Sequence, residues 1–551
     1  MMQVARTGPK LVAILIGCLG SVPALADTDR TYTGGWRNSD DIVTGWDWTL
    51  PAGVRPSEGS GIFNLNSRVP AGYPGNHLKQ VNAKWRDLEP VEGRYDFSSI
   101  TRELNDTNYD GVLLNVRGMV VSITDSNGMP VHSSEITAPT WLSNSAPTVT
   151  EPVRHGFRIT NLKISDTRVK SKLLQLIRAF GNSGIPSNRR IVAHIMHGVS
   201  GSRGEECCAT QGNASATYSA LEDVISAWAE AYGPNARKLA WLKEDPSNLF
   251  DRAVRQRGTG MRGGMIENWV RNQYTPGDVS QTGQIYDNGY LLVDENFAPI
   301  AEARAWIDEN EVYGRRFSSE QIIQQNYRMA TLRALQMRRS ILWTERDSTI
   351  NPQLLNWMSL ELGKNARTSP DAWVTLMRTW TMSSGEKEIK NLERWLYQRD
   401  RNGVSTTPAI RKEHGFNPSG NDLLDSSKWE VDLARTGREI GIAVDDRFLS
   451  GGPHDVAVKV TYLDSSRETW TFEYTKANGG TGTRSVQGGG SDVVRTATFF
   501  VEDFEAPRQG MEFDFSLKSG GNTPFMFVRL IKLDASVASA SPRPPENIAV
   551  D

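Results

Sequence analysis

The feature that most constrains this chain is a regular alternation of strand-like and helix-like segments between Gly61 and Met377. Short apolar runs recur there, separated by amphipathic runs whose apolar residues lie three and four positions apart. Parallel strands need such crossovers, because a tight turn joins only antiparallel neighbours. Eight repeats over roughly 300 residues predict an α/β fold with a closed parallel (β/α)8 TIM barrel.

The predicted strands are rich in Val, Ile, Leu and aromatic residues. They are SGIFNL near Ile62, LKQVNAKW ending at Trp85, GVLLNVRG ending at Gly118, RIVAHIMHG ending at Gly198, RKLAWLK ending at Lys243, GMRGGMI ending at Ile266, ARAWIDENE ending at Glu311 and RSILWTE ending at Glu345. The predicted helices between them include SKLLQLIRAFGNSG and YSALEDVISAWAEAYG.

The texture of the sequence changes after about Ser405. Segments such as HDVAVKVTYLD and ETWTFEYTK alternate apolar and polar residues, and Gly-rich stretches such as ANGGTGTRSVQGGGSD read as loops between them. This pattern predicts an antiparallel, jelly-roll-like β-sandwich. We expect a catalytic barrel over 27–404, the sandwich over 405–536 and a disordered tail over 537–551.

The first 26 residues read as a cleaved secretory signal. Two cations precede an apolar run that starts at Leu11, and the small residues Ala24 and Ala26 precede Asp27. A competing interpretation is a lipoprotein in which Cys18 of LIGC is lipidated. No other run approaches the roughly 18 apolar residues of a membrane span. We expect a secreted or periplasmic protein.

Composition excludes several classes of function. The formal net charge is −2 over 551 residues, so no overall field attracts nucleic acid, and any recognition must be local. Cys207 and Cys208 are adjacent and offer neither a disulfide framework nor zinc-ligand spacing. His194 and His197 have no third ligand at suitable spacing, so no metal and no cofactor are expected. His194 is predicted to lie in the core or to face a helix.

Acidic residues follow two of the predicted strands. Glu205 and Glu206 come after the fourth strand, and Asp308, Glu309 and Glu311 come at the seventh. Catalytic groups of (β/α)8 barrels stand at the C-terminal ends of strands, and the fourth and seventh strands lie across the barrel mouth from each other. Two carboxyls facing one bond are what glycoside hydrolysis requires.

Aromatic and basic residues near the same strand ends are candidates for contact with a sugar. Indole faces form stacking platforms, although large aromatics are often simply buried, and arginines suit carboxylated or sulfated sugars. The candidates are Trp85, Trp141, His197, Arg257, Arg262, Trp306 and Trp343.

One stretch carries a resemblance to a known group of enzymes. WRDLEPVEGRYDFSSI, with GVLLNVRG and TAPTWL, is similar to the barrel entry of clan A glycoside hydrolases, especially families near the family 42 β-galactosidases. The resemblance implies a retaining enzyme in which Glu205 is the acid/base and Glu309 the nucleophile. It also implies that Arg117 supports the nucleophile. The acids of LEPVEGRYDF are interpreted as turn residues, not catalytic ones.

Departures from that pattern keep alternatives open. Gly204 precedes Glu205, where the clan usually has Asn, and Glu206 and Glu311 remain alternative catalytic residues because Glu309 and Glu311 share one side of a strand. The expected substrate is a poly- or oligosaccharide, with a galactan of the agar or carrageenan type as one candidate. A non-catalytic glycan-binding protein and a polysaccharide lyase are the alternative functions.

Overall fold

The fold is known from a computed structural model of the chain. It describes residues 41–64, 69, 72–151, 156–196, 214–242, 257–265, 286–287, 290–291, 305–310, 320–336, 338–344, 350–381, 391–398, 407–414, 429–507 and 513–533. The predicted signal segment 1–26 and the predicted tail 537–551 lie outside these ranges.

The strands fall into two groups along the chain. The first group is β1 Asp41–Thr44, β2 Gly61–Asn64, β3 His77–Lys84, β4 Gly111–Arg117, β5 Val120–Asp125, β6 Thr148–Thr150, β7 Phe157–Leu162, β8 Ile191–Met196, β9 Leu239–Leu242, β10 Gly260–Met265, β11 Tyr286–Asp287, β12 Tyr290–Leu291, β13 Trp306–Asn310 and β14 Ile341–Thr344. The second group is β15 Asp371–Thr375, β16 Arg378–Thr381, β17 Glu393–Arg394, β18 Leu396–Gln398, β19 Thr407–His414, β20 Trp429–Thr436, β21 Glu439–Val444, β22 Gly451–Leu463, β23 Thr469–Thr475, β24 Thr481–Gln487, β25 Val494–Ala506, β26 Phe515–Lys518 and β27 Phe525–Lys532.

Helices occur in the first two thirds of the described chain. They are α1 Trp85–Leu88, α2 Ser98–Leu104, α3 Thr140–Ser143, α4 Thr167–Asn182, α5 Ala214–Tyr232, α6 Glu320–Gln336 and α7 Pro352–Glu361. Short 3-10 turns cover Ser133–Glu135, Ile185–Ser187 and Gly233–Lys238. Asp166 caps α4 by accepting hydrogen bonds from the amides of Arg168 and Val169, which explains why that helix starts where it does.

A curled sheet of parallel strands forms the first layer of the fold. Its strands pair in a closed ring, and each of the eight segments predicted to be a strand contains one of them. The ring order is β10, β13, β14, β2, β3, β4, β8 and β9. Within the described ranges a helix follows five of these strands. The sequence after β9 and after β10 lies largely outside those ranges, so the alternation of strand and helix is seen in part.

Strand β4 is apolar on both faces from Val112 to Leu114 because both faces are covered there. Leu113, Ile195 and Ile307 belong to a cluster inside the ring, whereas Val112 and Leu114 pack outward against α4 and α5. A strand buried on both sides reads as a continuous apolar run and not as an alternating one. This is why the barrel strands could be recognised from sequence.

Two antiparallel sheets form the other half of the molecule. One sheet follows the order β1, β25, β22, β27, β15 and β17, with β16, β19 and β20 attached, and the other follows the order β18, β21, β26, β23 and β24. Their facing sides enclose a core in which Val458, Trp470 and Phe499 are buried. The alternation of β23, with Trp470, Phe472 and Tyr474 buried between polar residues, follows from having one face on this core.

The predicted boundary at residue 405 is wrong. Strands β15 to β18, which lie before it, pair within the two sandwich sheets, and so does β1 near the other end of the described chain. The segment ANGGTGTRSVQGGGSD, predicted to be a loop, contains β24. Although this segment is rich in Gly and Thr, it forms a strand in which Gly482 and Val486 face inward and hydroxyls face outward.

A layer rich in tryptophan joins the barrel to the larger sheet. Trp46 stacks on Trp48 at 5.5 Å between ring centroids, and Trp48 contacts Trp357 of α7 at 5.0 Å. Trp357 in turn contacts Trp373 of β15 at 6.2 Å. These residues belong to one buried or partly buried cluster with α6 and α7. A good part of the high tryptophan count therefore serves packing between the two halves.

Buried charges cross the same layer. The guanidinium of Arg529 pairs with Asp371 at 2.6 Å and donates to the carbonyl oxygens of Asp47 and Thr49 at 2.8 and 3.0 Å. Lys459 donates to the Asp47 carboxylate. Burial alone would raise the pKa of Asp47, but Lys459 and the hydrogen bonds from Thr49 outweigh it and lower that pKa to about 2.

We expect Arg529→Met to destabilise the protein by about 3–5 kcal/mol, because it leaves the Asp371 carboxylate buried without its cation. Urea unfolding followed by tryptophan fluorescence measures the change. Lys170→Met is the matched control, since it removes a partly exposed pair with Asp223 and should cost less than about 1 kcal/mol. Equal shifts for the two variants would contradict a stabilising role for the buried network.

Candidate active site

The inner face of the barrel changes character toward the C-terminal ends of the strands. On β3 the inward positions run from Leu78 through Gln80 and Asn82 to Lys84, and on β4 they run from Leu113 through Asn115 to Arg117. The residues between them on β3, Val81 and Ala83, pack outward in the core under the helices. The lumen is therefore apolar at its base and polar at its mouth.

A pair of amides links the two strands near the mouth. Asn115 is buried, and its Nδ2 donates to Oδ1 of Asn82 at 2.7 Å. Asn82 is exposed, although β3 has a hydrogen-bonded strand on each side in the ring. An exposed side chain on an inward position means that the mouth is open to solvent there.

An aromatic pair lines another part of the mouth. Trp343 of β14 stacks on Phe63 of β2, with ring centroids 6.1 Å apart and planes inclined by 17°. Trp343 is partly exposed, and its indole Nε1 has no hydrogen-bond partner within the part of the chain that the structure describes. The Nε1 atom itself is buried, so the exposed part of the indole ring is what can stack on a sugar.

The two basic candidates near the sixth predicted strand occupy different environments. Arg262 is buried in β10, in register with Leu242 of β9 and Ile307 of β13. In-register neighbours share a face of a parallel sheet, so Arg262 belongs to the inner face with Ile307. Arg257 precedes the strand and is exposed. Arg262 is thus the better placed of the two.

Of the predicted catalytic acids and their alternatives, the described residues include only Glu309. Glu309 lies in β13, where its backbone is in register with Trp343 of β14 and Met265 of β10, and Trp306 begins the same strand. Glu205, Glu206, Glu311 and His197 lie outside the described residues. The structure therefore places Glu309 on the strand next to the one that carries Trp343. Its pairing with Glu205 stays a prediction.

Trp85 is fully buried, which corrects its assignment as a sugar contact. It follows Lys84 directly, so it takes the opposite face of the chain and packs outward with α2 and α4. A ring with no exposed face cannot stack on a substrate. Trp141 is partly exposed, and its Nε1 donates to the Glu89 carbonyl oxygen at 2.9 Å.

Glu89 explains the polar corner that follows the second predicted strand. Its buried carboxylate accepts hydrogen bonds from Trp85 Nε1 and from the Gly93 amide, both at 2.7 Å. Gly93 has a φ of 76°, a conformation that a residue with a side chain rarely adopts. Glu89 holds the bend in place, in keeping with a structural role for the acids of this turn.

We expect Glu89→Gln to lower stability by about 1–3 kcal/mol, because an amide cannot accept both hydrogen bonds and turns one donor toward another. Thermal unfolding measures the effect. Glu92→Gln, which alters an exposed pair with Lys172 in the same turn, is the control and should change little. A Glu89 variant as stable as the Glu92 variant would contradict the assignment.

His194 lies in the core under the helices and not at the mouth. Its Nδ1 is 2.9 Å from the Tyr232 hydroxyl, and its ring contacts Trp228 with centroids 4.7 Å apart. Burial lowers the pKa of His194 to about 3, because the surroundings cannot solvate an imidazolium.

This burial predicts a pH-dependent stability. The unfolded imidazole takes up a proton near pH 6.5 and the folded one does not, so the contribution is complete above pH 6.5 and is lost as the pH falls toward 3. At pH 5 the loss is about 2 kcal/mol, and His194→Gln should lack it. Urea unfolding at pH 7 and pH 5 tests this. An equal loss of stability between pH 7 and pH 5 in wild type and in His194→Gln would contradict this origin.

The described residues also bear on metal and membrane binding. Among them, no three His, Cys, Asp or Glu side chains converge to hold a metal ion. No described helix is both long enough and apolar enough to cross a membrane.

Sequence reasoning missed Asn82, Asn115 and Lys84 as residues of the mouth. A signal was present, because residues two apart on a strand share a face, and Leu78 marks the inner face of β3. The prediction of Trp85 as a sugar contact therefore selects the wrong face of the chain. The apolar runs on either side give no indication of which face is the lumen until the ring is closed.

Comparisons with known proteins give only a general likeness. No family model matches the chain, and no curated protein matches it. Similar solved structures include the catalytic domain of a β-amylase from Paenibacillus polymyxa, with 11% identity over 54% of this chain and 94% of that one and a TM-score of 0.30. An exo-β-1,4-mannosidase from Opitutaceae bacterium strain TAV5 has 11% identity over 57% of this chain and 62% of that one, with a TM-score of 0.33.

A third similar structure extends over more of the chain. It is an isomalto-dextranase from Arthrobacter globiformis T6, with 11% identity over 89% of this chain and 100% of that one and a TM-score of 0.27. The neighbours named here are glycoside hydrolases, but such identities and TM-scores are too low to transfer an activity.

Proposed function

We propose that the protein is an exported retaining glycoside hydrolase that cleaves O-glycosidic bonds in a poly- or oligosaccharide. The observation that carries the proposal is the open, polar and aromatic C-terminal end of a barrel lumen that is apolar below. That end is where (β/α)8 enzymes hold their catalytic groups. A galactan is the candidate substrate, on the resemblance of the LEPVEGRYDF stretch alone.

Glu309 is our candidate nucleophile. It occupies the strand position two residues after Ile307, which belongs to the inner cluster, and it is in register with Trp343. A carboxylate there would attack the anomeric carbon of a sugar ring stacked on the Trp343 indole. Arg117, at the C-terminal end of β4, is the cation proposed to favour the ionised form of this carboxylate.

Glu205 is our candidate acid/base. The chain leaves β8 at its C-terminal residue Met196 and returns as α5 at Ala214, and Glu205 lies in the sequence between. In the first step Glu205 protonates the leaving oxygen while Glu309 forms the glycosyl–enzyme bond. In the second step Glu205 removes a proton from water, which releases the sugar with its original anomeric configuration.

We expect Glu309→Gln and Glu205→Gln each to lower kcat by roughly 10³-fold or more with little change in thermal stability, because each removes a group that acts in the transition state. Initial rates on a panel of oligosaccharides, with the product anomer followed by NMR, test this. Glu206→Gln and Glu311→Gln belong in the series because those residues are the alternative catalytic acids. Glu103→Gln, on the outer surface, is the control.

Azide separates the two proposed roles. Added to Glu309→Gly it should rescue activity and give a glycosyl azide of inverted configuration, and added to Glu205→Gly it should give a retained one. Wild-type activity in both Glu→Gln variants would overturn the assignment. Binding without any product would favour a glycan-binding protein, and unsaturated products absorbing in the ultraviolet would favour a lyase.

A further inference from the structure

We propose that the β3–β4 wall of the barrel mouth, centred on Lys84, is a subsite for an anionic group, a carboxylate or a sulfate, on the sugar chain. This inference deepens the proposed function and rests on it. Three observations carry it: the position of Lys84, the cation beside it and the donors below it.

Lys84 stands at the mouth with its charge uncompensated by the described chain. It is the last residue of β3, on the inward side, and it is partly exposed. Within the described ranges its side chain makes no hydrogen bond and no ion pair. Lys79, on the outward side of the same strand, pairs with Glu103 at 2.5 Å and Asp106 at 2.9 Å. The same strand thus neutralises its outer lysine and leaves its inner lysine available.

A second cation lies beside Lys84. Arg117 ends β4 and is the register partner of Lys84 across the parallel pair. Like charges on directly neighbouring strand positions repel, and an anion bound near them lowers that cost. Such an arrangement favours a negatively charged ligand over a neutral one at Lys84.

Hydrogen-bond donors extend the wall toward the base of the lumen. Because Asn115 donates to Oδ1 of Asn82, the Asn82 side chain has its NH2 group left to donate, and Asn82 is exposed. Asn82 and Lys84 are two residues apart on one face, so both present N–H groups to the same space. Carboxylate and sulfate oxygens only accept hydrogen bonds, which matches this donor-rich wall.

The net charge of the whole protein makes the local arrangement decisive. With a formal charge of −2, the chain has no overall field that draws anions to it. Preference for an anionic sugar must then come from the mouth. It should respond to a single substitution at Lys84 and should weaken as salt is added.

The test compares substrates that share one backbone, one unsubstituted, one carboxylated and one sulfated. Initial rates are measured for the full chain as wild type, Lys84→Gln, Lys84→Arg and Lys79→Gln. Wild type should prefer an anionic substrate, and the carboxylated and sulfated arms tell which group is recognised. In Lys84→Gln the ratio of kcat/KM on the anionic to the unsubstituted substrate should fall about 10- to 100-fold, mainly through KM.

The two control variants separate contact from bulk charge. Lys84→Arg keeps the cation and should restore most of the preference, whereas Lys79→Gln removes the same charge from the outer face and should leave the ratio unchanged. A ratio unaltered by Lys84→Gln, an equal fall in Lys79→Gln or a wild-type preference for the unsubstituted sugar would overturn the subsite.

Binding distinguishes failure of this inference from failure of the proposed function. The same oligosaccharides are titrated by calorimetry into wild type and Lys84→Gln. If nothing is cleaved but the anionic sugars bind in preference, and Lys84→Gln loses that preference, the subsite stands and the hydrolase proposal falls. If all the sugars bind equally, or none binds, the subsite falls as well.

Discussion

The guanidinium of Arg529 underlies the junction of the two halves, because its partner Asp371 also accepts a hydrogen bond from Nε1 of Trp357 in α7 at 3.0 Å. From the central strand β27 it reaches the carboxylate of Asp371 and the backbone of the segment around Asp47. A buried cation without those acceptors would be too costly to keep, so the three segments must meet whenever the protein is folded. Nearby, Arg394 pairs with Glu361 of α7 at 3.0 Å and ties the barrel to β17 in the same manner. The sandwich is thus fixed to the barrel and is not a loosely appended module.

Within the barrel, the inner face changes from apolar to polar along the barrel axis. The helices and the sandwich cover the outside of the ring, so every second residue of each strand needs only to suit the lumen. On β4 the inward residues run from the apolar Leu113 through Asn115 to the charged Arg117. A single strand thereby supplies both the stability of the core and the groups that a substrate would meet.

The sequence revealed the elements better than it revealed their neighbours. The run Val112 to Leu114 is apolar on both faces, so it could be recognised as a barrel strand wherever its partners lay. Strands β15 to β18 are short, and β16 and β17 are mostly polar. Nothing in their residues tells which sheet they join, so the predicted boundary falls too late. The burial of Trp85 and the exposure of Asn82 have the same origin, since only the closed ring decides which face of β3 is inside. Glu205 lies outside the described residues, so its pairing with Glu309 remains a prediction.

Strand β1 gives the molecule an unusual order of assembly. It completes the edge of the larger sheet beside β25, and the Gly45 carbonyl oxygen accepts a hydrogen bond from Thr496, 451 positions away along the chain. The ribosome delivers Gly45 long before Thr496. Strand β1 therefore stays without its partner β25 until nearly the whole polypeptide has been synthesised. Closing so long a loop carries a large entropic cost.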